Sequence, residues 1–325
     1  MVSLKNIAQK VGVSTALVSY VLSGNEKKGR VGKDTAERIR QAAKELNYQP
    51  NHIAKSLKTG KTNTIGLIVA DISNPFFASI ARGVEDESSK YGLTTIIGSS
   101  DESLEKLKNL VDVFIKRQVD GFIISPPDNS EEIIKYIISL GIPICLIDRH
   151  FDHVNSSYVV TDNKVSMENA VRHLIDLGYK RLAFIGYDSC LQHMKDREQG
   201  FFDATTSIDA KVYKISFNRH QELGEIIEDV LNIQKADAIV FATNTLSIAG
   251  LKYLTQQGIQ IPSDLNVMCF DSSEVYDFFY HPIIHVRQPI DQLAKEAVTI
   301  LTSEIKDHSI HKKVLKSELI TKSRV

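Results

Sequence analysis

Cysteine is scarce in this chain: Cys145, Cys190 and Cys269 are all that 325 residues hold. Three scattered thiols with no Cys-x-x-Cys spacing build neither a disulfide framework nor a zinc knuckle, and they fit a reducing compartment. Long hydrophobic runs are lacking too. No stretch reaches the roughly 20 apolar residues of a membrane span. The apolar run from Ala16 to Leu22 is too short for a signal peptide and has no small-residue cleavage site. The expectation is a cytoplasmic protein with no membrane partner. Catalytic signatures are missing as well: there is no Gly-x-Ser-x-Gly elbow, Walker loop or His-Glu-x-x-His, and Gly83 and Gly92 do not build a dinucleotide fingerprint. Asp148-Arg149-His150 with His153 has no recognised metal-ligand spacing. Neither an enzyme nor a metal or cofactor is expected.

What is present is an ordinary globular composition, 42% hydrophobic and 24% charged, of a length that suggests about two domains. Overall charge is nearly balanced at −1, yet it is unevenly placed. Residues 1–61 hold 12 Lys and Arg against 4 Asp and Glu, a balance of +8, while the rest holds 27 against 36, a balance of −9. A basic end on an acidic body is the pattern of a small segment that meets phosphate and a larger one with a different task.

The basic end reads as helices. Ser3 is placed to cap a helix whose apolar residues Leu4, Ile7, Ala8 and Val11 follow helical spacing until Gly12 stops it. Ser14 offers a second cap after a short turn. From Thr15 to Leu22 the side chains divide into an apolar arc of Leu17, Val18, Val21 and Leu22 and a small polar arc of Thr15, Ala16, Ser19 and Tyr20. Two short helices joined tightly through glycine form a helix-turn-helix candidate. Asp34 and Glu37 resemble a capping box that starts a third helix with the stripe Ile39, Ala42, Ala43 and Leu46. Ser and Thr on the polar arc can donate to phosphate, and a Tyr can reach base edges in the major groove. After Pro50, residues 51–58 read as a short helix with Ala54 and Leu57 among lysines. Leu57 is a candidate wedge between base steps from the minor groove.

Beyond Lys61, short β-branched runs alternate with helical patterns. The first series is Ile65 to Ala70, Thr94 to Gly98, Gly121 to Ser125 and Ile144 to Asp148. A second is Tyr158 to Val160, Leu182 to Gly186, Val212 to Ser216, Ala238 to Ala242 and Asn266 to Asp271. Such alternation predicts two α/β lobes, each a parallel sheet covered on both faces, with a cleft at the carboxyl ends of the strands. Polar residues collect at those ends: Asp71, Asn74, Ser99 to Asp101, Ser125, Asp148, Arg149, Asp162, Asn244 and Asp271, with Phe76, Phe77 and Phe217 nearby in sequence. Carboxylates, amides, hydroxyls and an arginine beside aromatic rings suit a small polyhydroxylated ligand, a sugar or nucleoside. The competing reading is that Asp and Asn at strand ends only cap the next helix.

Several of these segments match a known family in order and spacing. Val13 to Leu22, Leu46-Asn47-Tyr48-Gln49-Pro50-Asn51 and Ala54-Lys55-Ser56-Leu57 resemble the lactose-repressor (LacI/GalR) family of bacterial transcription factors. So do Asp71-Ile72-Ser73-Asn74-Pro75-Phe76-Phe77, Gln118-Val119-Asp120-Gly121, Leu177-Gly178-Tyr179, Asp271 and Arg287-Gln288-Pro289. The resemblance implies an α/β protein: a three-helix helix-turn-helix head over residues 1–50, a hinge helix over 51–61, and two doubly wound lobes of periplasmic-binding-protein type I over 62–325. The N-lobe would take about 62–161 and 290–318, the C-lobe about 162–289 and 319–325. It further implies a homodimer on a double-stranded DNA operator, responsive to a sugar-like effector. No appended heptad helix follows Leu319-Ile320, so a dimer is expected rather than a tetramer.

Position by position, the resemblance puts Thr15, Ala16 and Tyr20 at the base-reading face, and Ser14, Ser19, Tyr48 and Asn51 at phosphates. It puts Ala54, Leu57 and Lys58 in the minor-groove hinge. Arg149, Arg197, Phe217, Asn244 and Asp271 match effector contacts, beside Asp71, Phe76, Phe77 and Ser125 from the strand ends. The chain departs from the family at Tyr20, where many members carry Arg or His, and at Thr245 and Cys269. The loop from Asn25 to Gly32 is longer by about three residues and adds Lys27, Lys28 and Arg30. A solute-binding clamp without DNA function would share the body but not the basic helical head.

Overall fold

The computed structural model describes residues 2–48, 60–217 and 222–321. The chain divides into two compact units, Met1–Thr62 and Asn63–Val325, and each is described by itself.

The first unit is helical: α1 (Leu4–Val11), α2 (Thr15–Leu22), α3 (Glu26–Gly29) and α4 (Lys33–Glu45). The start of α1 is local chemistry. The Asn6 side chain accepts from both the N–H and the hydroxyl of Ser3, at 2.9 and 2.7 Å, and Gly12 ends the helix in the left-handed region at φ 74°. Ser14 caps α2 by accepting from the Leu17 N–H at 3.2 Å. Ile7, Val11, Val18, Val21, Ile39 and Ala42 are buried together in one small core, with Leu17, Leu22, Leu46 and Tyr48 packed against it. Two expectations are corrected. The N-cap of α4 is Gly32 and makes no side-chain bond, so Asp34 lies in the first turn, facing the helix dipole rather than capping it. The long loop folds a helical turn of its own, α3, so the head holds four helical segments and not three.

The second unit is α/β. Its elements run β1 (Thr64–Val69), α5 (Pro75–Lys90), β2 (Thr94–Ser99), α6 (Leu104–Lys116), β3 (Gly121–Ile124), α7 (Glu131–Ser139), β4 (Ile144–Ile147) and β5 (Ser157–Thr161). Then follow α8 (Asn163–Asp176), β6 (Arg181–Tyr187), α9 (Gln192–Ala204), β7 (Asp209–Ile215), α10 (Leu223–Asp229), β8 (Ala238–Phe241), α11 (Asn244–Gln256), β9 (Asn266–Phe270) and β10 (Ile284–Arg287). The last are α12 (Ile290–Asp307), β11 (Lys312–Leu315) and β12 (Glu318–Ile320).

One sheet has the order β11-β5-β4-β3-β1-β2 and is parallel throughout; the other is β12-β10-β9-β8-β6-β7, with only β12 antiparallel. Parallel strands covered on both faces must be apolar on both, and Ile144–Ile147, Ala238–Phe241 and Asn266–Phe270 are buried at every position. The strand at residues 157–161, expected to open the second series, pairs with β4 and β11 in the first sheet. A β-branched run does not say which sheet it joins; its partners do.

The chain passes between the lobes three times: from β5 to α8, from β10 to α12, and from β11 to β12. These passages are tied together. The Thr161 hydroxyl donates to Gln288 Oε1 at 2.8 Å, the Asp162 N–H to the Leu315 carbonyl at 2.9 Å, and the Ser317 N–H to Asp162 Oδ1 at 2.9 Å. Satisfied polar contacts at the crossings let two separately packed cores share one hinge.

Candidate functional site

In the head, packing of the apolar arc leaves the other face of α2 outward: Thr15, Ala16 and Tyr20 are exposed, and Ser19 is half-buried. Ser14 is exposed, although its oxygen already serves the α2 cap. Tyr48 is half-buried against the head core. Asn51, Ala54, Leu57 and Lys58 lie outside the described residues.

In the body, a cleft of about 500 Å³ opens between the carboxyl ends of the two sheets. Eight of the nine effector-contact candidates line it together, Asp71, Phe76, Phe77, Arg149, Arg197, Phe217, Asn244 and Asp271, and the strand-end residues Asn74, Asp101 and Asp148 join them. Ser125 does not join them. It is fully buried after β3, its N–H donates to the Ile68 carbonyl at 2.9 Å, and its hydroxyl has no hydrogen-bond partner among the described residues. The sheet turns that side chain into the lobe rather than toward the cleft.

On the N-lobe wall, Arg149 forms a bidentate pair with Glu102, Nη1 donating to Oε2 at 2.8 Å and Nη2 to Oε1 at 2.7 Å, and Nη1 also donates to the Pro126 carbonyl at 3.2 Å. The guanidinium carbon stands 5.4 Å from the Phe77 ring centre, and Phe76 meets Phe77 edge to face at 5.1 Å. Asp148 lies 3.4 Å from Arg149 Nε. Burial pushes the Asp148 carboxyl up to about 6, although Arg149 and Arg197 both favour its ionised form. Asp71 accepts from the N–H and hydroxyl of Ser73 in the turn before α5, while Asn74 caps α5 by accepting from the Phe76 N–H, so the capping reading holds for Asn74 and not for Asp71.

On the C-lobe wall, Arg197 is only 2% exposed; its Nε donates to Asn163 Oδ1 and its Nη1 to the Ala242 carbonyl, each at 2.8 Å. The Phe270 ring lies flat beneath it, 3.8 Å from ring centre to guanidinium carbon. Asp271 accepts from Gln288 Nε2 at 2.6 Å and from the Asn244 N–H at 3.3 Å, which links the cleft to the hinge through the Thr161–Gln288 bond. Tyr187 and Phe217 stack with ring centres 4.0 Å apart. The lobes meet where Asn244 Nδ2 donates to Asn74 Oδ1 at 2.8 Å.

Glu102, Tyr187, His193 and Gln288 also line the cleft and were not anticipated. Glu102 follows the strand-end residue Asp101 directly, so extending the strand-end rule by one position reaches it. His193 stands on α9, one helical turn before Arg197, with nothing in its local pattern to mark it. It is 4% exposed, and its Nδ1 has no hydrogen-bond partner among the described residues. Burial, with Arg149 and Arg197 nearby, holds it well below the usual histidine range and therefore neutral.

Two further features describe the cleft. Asp101, Glu102, Asp148 and Asp271 all have left-handed backbones, with φ of 49°, 54°, 67° and 74°. The surrounding loops hold these four backbones in the left-handed region, which Asp adopts more readily than most residues. The lining also carries five carboxylates, on Asp71, Asp101, Glu102, Asp148 and Asp271, against the guanidiniums of Arg149 and Arg197. Among the described residues no group of His, Cys, Asp and Glu is placed to hold a metal, and no helix is long and apolar enough to cross a membrane. His150 instead lies against Tyr158, with ring centres 4.3 Å apart.

Comparison with known proteins agrees with both parts. Residues 3–51 match the family model for bacterial regulatory proteins of the lacI family, and residues 171–323 match that of the periplasmic binding protein-like domain. The chain is 32% identical over 307 residues to the ribose operon repressor of Halalkalibacterium halodurans, covering 94% of this chain and 91% of that protein. It is 28% identical over 335 residues to the transcriptional repressor PurR of Aliivibrio fischeri, covering 100% and 98%. Its fold is similar to the lac repressor dimer bound to operator and the anti-inducer ONPF, with a TM-score of 0.85 at 20% identity over 98% of this chain and 97% of that one. By the match of its head and by identity along nearly all its length, the chain belongs to the lacI family of bacterial regulatory proteins.

Proposed function

We propose that the protein is a cytoplasmic, homodimeric repressor that binds a near-palindromic DNA operator and responds to an uncharged, sugar-like effector. It acts by binding and not by catalysis. Residues 1–50 are the reader and 51–61 the hinge. Thr15, Ala16 and Tyr20 meet base edges, while Ser14, Ser19, Tyr48 and Asn51 meet phosphates. Ala54, Leu57 and Lys58 enter the minor groove at the operator centre.

The observation that carries the effector reading is the lining of the cleft. Polar groups arrive from both lobes, and carboxylates outnumber guanidiniums five to two. Arg149 is already paired with Glu102, and Arg197 spends its Nε and Nη1 on Asn163 and Ala242, so little cationic capacity is left to offset the charge of an incoming phosphate. A neutral polyol can donate to Asp71, Asp148 and Asp271 and lay its apolar face on the aromatic rings. A phosphorylated sugar would bring negative charge to a wall that already carries an excess of it.

An effector that bridges the lobes changes the Asn74–Asn244 contact and pulls on Asp271, and through Gln288 on the hinge. It thereby shifts the DNA-competent population by its differential affinity for the two arrangements, on a usual scale of about 1 to 3 kcal/mol. The test is selection of random duplex DNA by the full-length chain, followed by titration of the selected site with unphosphorylated pentoses, hexoses and disaccharides and with their phosphate esters. A near-palindrome whose affinity responds only to a neutral sugar supports the proposal. A response confined to a phosphate ester refutes the effector class, and retention of no motif both without and with these sugars present during selection refutes the operator reading.

A further inference from the structure

We propose that the turn Glu26–Arg30 is a second DNA-contacting element of the head, docked by Gly29 against Tyr20, so that the Tyr20 ring and the cations Lys27, Lys28 and Arg30 form one reading edge. The inference rests on the proposed role of α2 as the base-reading helix, and it concerns the part of the head where this chain departs from its family.

The docking is a close approach of backbone to side chain. A Cβ at position 29 would stand 2.7 Å from both Cγ and Cδ2 of Tyr20 and 2.9 Å from its Cβ. Gly29 has no left-handed φ, so it is not the backbone conformation that calls for glycine there. What calls for it is Tyr20. Because the clash includes the Tyr20 Cβ, which no rotamer moves, any side chain at position 29 must push the turn away from α2. The turn is held in place from three sides. The Asn25 N–H donates to the Tyr20 carbonyl at 2.8 Å, the Val31 N–H closes the turn onto the Glu26 carbonyl at 3.0 Å, and Glu26 pairs with Arg40 on α4.

The pairing of Glu26 removes the turn's one acid from its outer side. Lys27, Lys28 and Arg30 are exposed, and none of them forms an ion pair among the described residues. Tyr20 itself is 37% exposed beside them. A turn that served only to join α2 to α4 would need no cations. Three of them, next to a ring placed to reach base edges, match the arrangement in which phosphate contacts set register while an adjacent side chain reads sequence.

Two measurements on the full-length chain test this. In the first, random duplex DNA is selected with wild type, Tyr20→Ala, Gly29→Val and the double variant. Gly29→Val is expected to lose preference at the same base pairs as Tyr20→Ala, with no further loss in the double variant. Selection of the wild-type motif by Gly29→Val would overturn the proposal. The second measurement leaves the glycine approach intact and so does not depend on Gly29→Val folding. On the selected duplex, the triple variant Lys27→Ala/Lys28→Ala/Arg30→Ala is expected to lower the slope of log Kd against log salt by about 2.7, at about 0.9 for each phosphate no longer neutralised. An unchanged slope overturns the proposal while leaving the operator reading intact. A wild type that selects no motif at all overturns both.

Discussion

Glu102→Gln offers the sharpest test of how the cleft is held together. Arg149 is 4% exposed and owes its place to two short hydrogen bonds, at 2.7 and 2.8 Å, to one carboxylate. Opposite unit charges about 4 Å apart at an effective dielectric near 20 attract by about 4 kcal/mol. Breaking a buried pair by removing one partner costs about 3 to 5 kcal/mol, because the remaining charge stays in low dielectric. Two features reduce that figure. Glu102 keeps 22% of its side chain exposed, and Asp148, 3.4 Å from Nε, can ionise more readily once Glu102 no longer repels it. The expected loss is therefore about 2 to 3 kcal/mol, confined to the body. The chain has no tryptophan, so urea unfolding is best followed by far-ultraviolet circular dichroism. The companion variant Glu102→Gln/Arg149→Met removes both charges and is expected to recover most of the loss, since no uncompensated charge is then left in low dielectric. A single variant within about 0.5 kcal/mol of wild type, or a double variant no more stable than the single one, would refute the account of Arg149 as a buried charge dependent on its partner.

Three further outcomes are expected. Asp148 titrates near 6 in the fold against 3.8 as a free side chain, so between those values the native state keeps a proton that the unfolded chain has released. Stability should fall as pH rises through that window, by up to about 3 kcal/mol, being full below it and lost above it; Asp148→Asn should flatten the dependence in thermal melts from pH 4 to 7, and an unchanged slope would remove Asp148 as its source. A Cβ at Gly200 would stand 2.3 Å from the Lys164 carbonyl oxygen, so Gly200→Ala should force α9 off α8 and destabilise the body by about 2 to 3 kcal/mol in urea unfolding, with a neutral result contradicting the close helix approach. Arg197→Ala should abolish the response to neutral sugars in calorimetry while basal operator affinity survives, because its partners Asn163 and Ala242 belong to the body; retained sugar binding would take Arg197 out of the site.

What was legible from the residues alone was whatever short-range chemistry dictates. The cap at Ser3, the glycine stop at position 12 and the divided faces of α2 depend on neighbours three and four residues away, and the structure reproduces them. The doubly wound body was legible for the same reason, since each buried parallel strand must be an apolar run wherever it sits. Polar residues at strand ends pointed to the cleft, and eight of the nine ligand candidates line it.

The rest depends on partners far apart in the chain. Ser125 and Asp271 both follow apolar strands, yet one side chain is turned into its lobe and the other faces the cleft, a difference set by the sheet around them. Glu102 meets Arg149 across 47 residues, and Gln288 joins Thr161 to Asp271 across 127 and 17. The strand at 157–161 could enter either sheet until β4 and β11 claimed it. In the head, nothing local shows that Gly29 lies against Tyr20. Helix and strand periodicity describes one segment's own faces, so sequence alone determined the elements and the polarity of their ends. Which groups share a buried space, and hence which charges are paired and which side chains can meet a ligand, was decided only when the lobes packed.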